Sequence, residues 1–120
     1  TFYEVANSPN IMGRSTDGSD IGVGQSWYDL ALEVDPENPD IVYAGGINVF
    51  KSIDGGSSWT YNSNGVHVDM HYLSFSPHTH ELYLANDGGL YRSDSANSNW
   101  EDISQNMVIG QIYKIGQNIC

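Results

Sequence analysis

Three side chains able to do chemistry alternate in one short stretch: His67, Asp69 and His71 in Val66-His67-Val68-Asp69-Met70-His71. Alternate residues of an extended strand share a face, about 6.6 Å apart. Two imidazoles and a carboxylate so placed would form a polar ligand pocket, hold a divalent metal, or act as hydrogen-bonded structural residues. No metal is assigned to them here. Further on, Asn86-Asp87-Gly88-Gly89 offers a second carboxylate beside two glycines that would let a ligand approach the backbone closely. Asp87 is a candidate acid or base, or else a turn-former. Asp69 is the nearest carboxylate in this chain to serve as its partner, because glycoside hydrolysis uses two carboxylates ~5–10 Å apart. Trp27 and Tyr28 have flat apolar faces and polar edges that suit stacking on a sugar, with packing between repeats as the alternative. The candidate ligand-binding set is Trp27, Tyr28, His67, His71, Asn86 and Gln111, with Asp87 and Asp69 as the candidate catalytic pair. The chain carries no Gly-rich phosphate loop, Ser-His-Asp arrangement or Cys/His zinc spacing.

These residues are positioned by a repeat. Trp59 and Trp100 lie 41 residues apart, as do Ser52 and Ser93, Ala44 and Ala85, Pro36 and Pro77, Leu32 and Leu73, and Gly24 and Gly65. No gap is needed between Gly24 and Trp100, and Tyr72 pairs with Tyr113 on the same offset. A period of ~40–45 residues built from four strands is that of a β-propeller blade. The expected fold is therefore all-β, a propeller segment of four-stranded antiparallel blades, with Trp59 and Trp100 in equivalent surroundings.

Each repeat yields four strands. Trp27 to Val34, with Leu30, Leu32 and Val34 on one face, is followed by a Pro/Asn/Asp turn, then Ile41 to Ala44, Val49 to Ser52 and Ser58 to Tyr61. The second unit runs Val68 to Phe75, Glu81 to Ala85, Leu90 to Ser93 and Asn99 to Ile103. The expected organisation is residues 1–10 as the last strand of a preceding blade, 11–24 as a connecting loop, 25–65 and 66–106 as complete blades, and 107–120 as the first strand of another. Long loops in compact domains are often functional, and a plain surface insertion is the alternative for 11–24. No stretch of ~10 residues has helical periodicity. In such a blade the start of the innermost strand and the turn between second and third strands share one face. That face gathers the candidate residues, and His71 falls at the repeat position of Leu30 and Ile112, which is expected to be packed between blades.

Ser52-Ile53-Asp54-Gly55-Gly56-Ser57-Ser58-Trp59 has the form S-x-D-x-G-x-x-W. An Asp that accepts turn amides, glycines that tolerate positive φ and a Trp that anchors the hairpin make this a turn device. It resembles the Asp-box, or bacterial neuraminidase repeat, found in sialidases, the sortilin family and family 74 xyloglucanases. Ser52, Asp54, Gly56 and Trp59 match. In the second copy Ser93 and Trp100 are kept, while Ser95 and Asn97 replace the Asp and Gly. The resemblance implies a structural role for these residues, on the face opposite the ligand site. Asp87-Gly88-Gly89-Leu90-Tyr91-Arg92 also resembles the D-x-G-G-x-Y-R segment of the family 74 enzymes, one residue shorter, which implies catalysis by Asp87.

The formal charge of −11, from 15 acidic and 4 basic residues, argues against nucleic acid, which is bound largely by phosphate neutralisation. No apolar run approaches the ~18 residues of a membrane span. A single cysteine, Cys120, excludes an internal disulfide. The acidity otherwise means a self-repelling soluble surface, or cation binding; Asp17, Asp20 and Asp94 offer oxygens for calcium without an ordered calcium loop. No other cofactor is expected. The chain is expected to be secreted or on a cell surface, and to need further blades from a longer chain or from copies of itself. Three functions remain open: a binding module for a glycan or a protein, a glycosidase, and a structural or adhesive surface protein.

Overall fold

Eight short strands, joined by polar turns, form two sheets in the computed structural model, which describes residues 1–22, 24–94 and 99–108. In the first sheet β1 (Ala31–Val34), β2 (Val42–Gly45), β3 (Val49–Ser52) and β4 (Thr60–Tyr61) pair in sequence order, all antiparallel. The second repeats this order with β5 (Met70–Phe75), β6 (Glu81–Asn86), β7 (Gly89–Asp94) and β8 (Trp100–Asp102). Among the described residues there is no helix, and so none long and apolar enough to cross a membrane. The run Thr1 to Val5 forms no strand and is exposed.

Period-two alternation explains the core. In β6, Leu82, Leu84 and Asn86 are buried, while Glu81, Tyr83 and Ala85 are half-buried. Ala31, Tyr43 and Val49 of the first sheet meet Met70, Leu73, Phe75, Leu82, Leu84 and Tyr91 of the second in one cluster, and β5 packs against β1 and β2. The Tyr43 and Phe75 rings meet edge-on at 6.0 Å. Polar links cross the same seam: Phe75 N–H donates to Glu33 Oε1 at 3.0 Å, and His80 Nε2 lies 3.1 Å from Asp35 Oδ1.

The first strand of each unit is shorter than its sequence pattern. Tyr28 and Asp29 both donate their amides to Gln25 O in a turn, so pairing starts only at Ala31. Asp69 has φ of 65°, so β5 starts only at Met70. Leu30, Leu32 and Val34 are not core residues, being 60%, 65% and 45% exposed, although Ala44 and Phe50, in one row with Leu32, are buried. Nor is the repeat gapless. Leu32 and Val34 pair with Ala44 and Val42, but Leu73 and Phe75 pair with Leu84 and Leu82. The second strands therefore correspond at an offset of 40, and Ala44 matches Leu84 rather than Ala85. The β6–β7 hairpin is one residue longer and restores the offset, so that Phe50 matches Tyr91. A shared anchor holds the fourth strands: Ser63 Oγ accepts from Val49 N at 3.0 Å, and Ser104 Oγ from Leu90 N at 2.9 Å.

The Ser52–Trp59 turn is closed by its own side chains. Ser52 Oγ donates to Asp54 Oδ1 and accepts from the amides of Asp54 and Gly56. Asp54 accepts from the Ser58 amide and hydroxyl, and Trp59 Nε1 donates to Gly56 O at 2.9 Å. Gly55 and Gly56 have φ of 67° and 91°, which side chains resist. The Ser58 hydroxyl, then its amide, then Ser52 hold the Asp54 carboxyl below its ordinary value. It is a fixed acceptor, not a proton donor. Ser52→Ala removes three bonds from a site 1% exposed and is expected to cost about 1–3 kcal/mol in urea unfolding; an unchanged midpoint would show that the turn does not depend on them.

The two indoles differ in surroundings. Trp100 packs against the intersheet core and donates to Asn62 O across the seam, whereas Trp59 bonds within its own hairpin. Each starts or precedes the fourth strand of its sheet, but among the described residues only the second sheet has another sheet on that side. Ser95 and Asn97 lie outside the described residues.

Candidate functional site

Antiparallel order brings four chain segments to one edge. Ala31 pairs with Gly45, and Met70 with Asn86, so the entries to β1 and β5 adjoin the β2–β3 and β6–β7 turns. Met70 N donates to Gly46 O at 2.8 Å and Asp69 N to Ile47 O at 3.1 Å, which stitches the second entry to the first hairpin. The convergence expected from the sequence is therefore present, although the side chains it gathers differ from those expected.

Its centre is His71. The β5–β6 register shifts between Met70 and Tyr72, and His71 is the extra residue of that bulge. A bulge re-aims its side chain. His71 Nε2 lies 2.8 Å from Asp87 Oδ1 and Nδ1 lies 3.4 Å from Asp29 Oδ1. The ring of Tyr28 meets that of His71 edge-on at 5.4 Å, and Trp27 stands 5.7 Å from Tyr28. Trp27 is 81% exposed and Tyr28 is exposed beside it.

Asp29 is the residue that the sequence reading missed. Its side chain is 1% exposed. The two hydrogens of Gln25 Nε2 go to Asp29 Oδ2 at 3.0 Å and to Asp69 Oδ1 at 2.9 Å, so one amide bridges two carboxyls. Asp29 Oδ1 is buried and has no hydrogen-bond partner, since the His71 contact lacks hydrogen-bond geometry. Burial raises the Asp29 pKa, and the charge of Asp69 raises it further; His71 opposes both, and Asp87 adds a smaller rise. The signal was present in the sequence: Asp29 is in phase with Ala31, and 41 residues before Met70, both of which are buried.

Several expected roles change. His67, Asp69 and His71 do not alternate along a strand, because the left-handed Asp69 and the bulge interrupt it. His71 does stand between the repeats, against Tyr28 and Asp29 of the first unit, but it is partly exposed there rather than fully packed. Among the described residues no three His, Cys, Asp or Glu side chains form a metal-holding group. Asn86 is 8% exposed and structural: its Nδ2 donates to His67 O, and its Oδ1 accepts from Gly88 N. The room beside Gly88 is taken by His67, whose Cβ would sit 2.3 Å from an added Cβ, so the glycine there accommodates His67. His67 itself is exposed, with Nδ1 3.0 Å from Val68 O. Gln111 lies outside the described residues.

The loop 11–24 flanks this edge. Asn48 Nδ2 donates to Arg14 O at 3.0 Å, and Arg14 lines a shallow depression with Gln25, Ile47, Val68 and Asp69. Within the loop Asp20 accepts the amides of Arg14 and Ser15, and Asp17 accepts that of Ser19. These bonds, led by those from Ser15 and Ser19, lower both carboxyl pKa values. One oxygen of Asp17 and one of Asp20, both expected to be available to calcium, are thus engaged in shaping the loop. No family model matches the chain, and no curated protein matches it.

Proposed function

We propose that the two sheets are adjacent blades of a larger Asp-box β-propeller, in a secreted or surface-exposed protein, and that the edge where β1 and β5 begin binds a carbohydrate. Support for the propeller comes from the repeat period, the packing of the two sheets in one core and the exposure of Leu32 at the edge of the first sheet. The observation that carries the binding reading is the exposed Trp27–Tyr28 pair standing against His71 and its carboxyls. Such rings stack on the apolar face of a pyranose while carboxylates take its hydroxyls. Packing against a further blade is the competing use of these rings. Against it, Val68, which stands 41 residues after Trp27 in the second sheet, stays exposed although the first sheet packs alongside, while Asp69, the match of Tyr28, is half-buried.

Titration calorimetry against a panel of neutral, acidic and amino oligosaccharides tests this. Trp27→Ala is expected to weaken binding at least about tenfold without lowering the melting temperature. A protein that binds no sugar, or a Trp27→Ala variant that binds as before, would refute the reading; a marked loss of stability in that variant would assign the indole to packing.

Glycoside hydrolysis is the second reading. It is favoured by two carboxyls in unlike surroundings around one imidazole, Asp29 buried and Asp87 exposed, with Asp69 bridged to the first. On this reading Asp87→Asn abolishes hydrolysis while the protein stays folded.

A further inference from the structure

The charges at the His71 cluster do not balance. Asp29, Asp69 and Asp87 supply three carboxyls, and among the described residues His71 is the single side chain paired with any of them that can carry positive charge. Arg14 lines the depression beside Asp69, but among the described residues it forms no ion pair with these three. Asp29 Oδ1 is fully buried without a hydrogen-bond partner, aimed at His71. A buried carboxyl is costly unless paired, and its field is poorly screened, so it reaches the open side of the cluster. The whole chain, at −11, adds to this field. A folded site that retains such an excess of acid is complementary to a cation.

The kind of cation follows from the walls. No three acidic or imidazole groups converge as a metal cage among the described residues. Exposed around His71 are Asp87, at 41%, and the ring of Tyr28, with Trp27 beside it. A carboxylate beside aromatic faces is the setting that receives an organic ammonium: the carboxylate accepts its hydrogens and the rings attract its charge. We propose, resting on the carbohydrate reading above, that the sugar bound here carries a free amino group, taken by Asp87 with Asp69 and the buried Asp29 behind it, while Trp27 and Tyr28 hold the ring.

The test uses the full chain in calorimetry at about 0.15 M salt, where nonspecific attraction to an acidic protein is screened. The probes are a glucosamine tetramer, its fully N-acetylated counterpart, a glucose tetramer and a tetralysine peptide. The glucosamine tetramer is expected to bind at least about tenfold more tightly than the other three. Asp87→Asn should remove most of that preference, and Glu37→Gln, an exposed acid in the β1–β2 turn, should keep it. Asp69→Asn provides a second variant, read the same way, should Asp87→Asn melt early. Equal binding of the three sugars overturns the inference and leaves the carbohydrate reading standing; binding of none of them overturns both. Tetralysine binding as tightly as the glucosamine tetramer also overturns it, in favour of a protein cation. A preference that survives both Asp→Asn changes overturns the placement at this cluster.

Discussion

Leu73→Ala is expected to destabilise the protein by about 2–5 kcal/mol, a fall in melting temperature of roughly 10–20 °C for a domain of this size. Leu73 is 5% exposed and sits in a row with Leu84 and Tyr91, the side chains that the second sheet sends into the intersheet core. Its removal leaves a cavity between two sheets whose strands are too short to close around it. Leu32 fills the same slot one repeat earlier, in the row Leu32, Ala44, Phe50, but it is 65% exposed. In the 120-residue chain alone Leu32→Ala should therefore change stability by no more than about 0.5 kcal/mol. A further blade on that side, as proposed, would cover Leu32 as the first sheet covers Leu73, and in an assembly that holds it the two substitutions should cost about the same. Urea unfolding of both variants, alone and in such an assembly, decides the matter. A neutral Leu32→Ala there would mean that no sheet lies on that face.

The same pair of residues shows what the sequence could and could not disclose. An offset of 41 is visible because Trp, Ser, Pro and Leu recur at slots where hairpins and the core demand them. The strand count, the strand order and the all-β class follow from those slots. The register did not follow, because one residue gained before β2 and one gained after β6 cancel in the numbering: Ala44 and Ala85 match by identity, yet Ala44 is stacked as Leu84 is. Burial of Leu30, Leu32 and Val34 was misjudged for another reason. Apolar alternation marks which side chains share a face, and says nothing about whether anything covers it.

At the site, the approach of the two strand entries to the two hairpin turns was legible, since antiparallel order alone requires it. The particular contacts were not. A left-handed Asp69 and a bulge at His71 are single-residue departures from the strand period, and they decide that His71 swings to Asp87 while His67 covers Gly88. Asn86 looked like a ligand amide because of its position beside Asp87; its phase in β6 directs it inward, where it closes the turn. The Ser52–Trp59 turn could be read outright, because its bonds are all local and depend on residue type alone.

Asp29→Asn should raise the stability of the ligand-free protein near pH 7, by on the order of 1–2 kcal/mol, or about 3–10 °C in melting temperature. Asn retains an oxygen for Gln25 and removes a charge that burial and Asp69 both oppose. The pH dependence has a definite sign. The Asp29 pKa in the folded chain lies above its ordinary value of 3.8, so the folded state takes up this proton at a pH where the unfolded state is still ionised. Folding then binds a proton, and the penalty carried by the wild-type protein shrinks as the pH falls through the folded-state pKa. It is gone below 3.8, where both states are protonated. The variant should therefore be the more stable protein at neutral pH, and the two stability curves should converge on acidification. Asp17, Asp20, Asp54 and Asp102, whose pKa values are lowered by local hydrogen bonds, lose stability on the same descent, but equally in both proteins, so their contribution cancels in the difference. Melting curves of the two proteins across that pH range supply the measurement. A variant less stable than wild type at pH 7 would show that the contacts of the buried carboxylate with Gln25 and His71 outweigh the cost of its burial, and a constant difference at all pH values would show that Asp29 does not titrate apart from the unfolded chain.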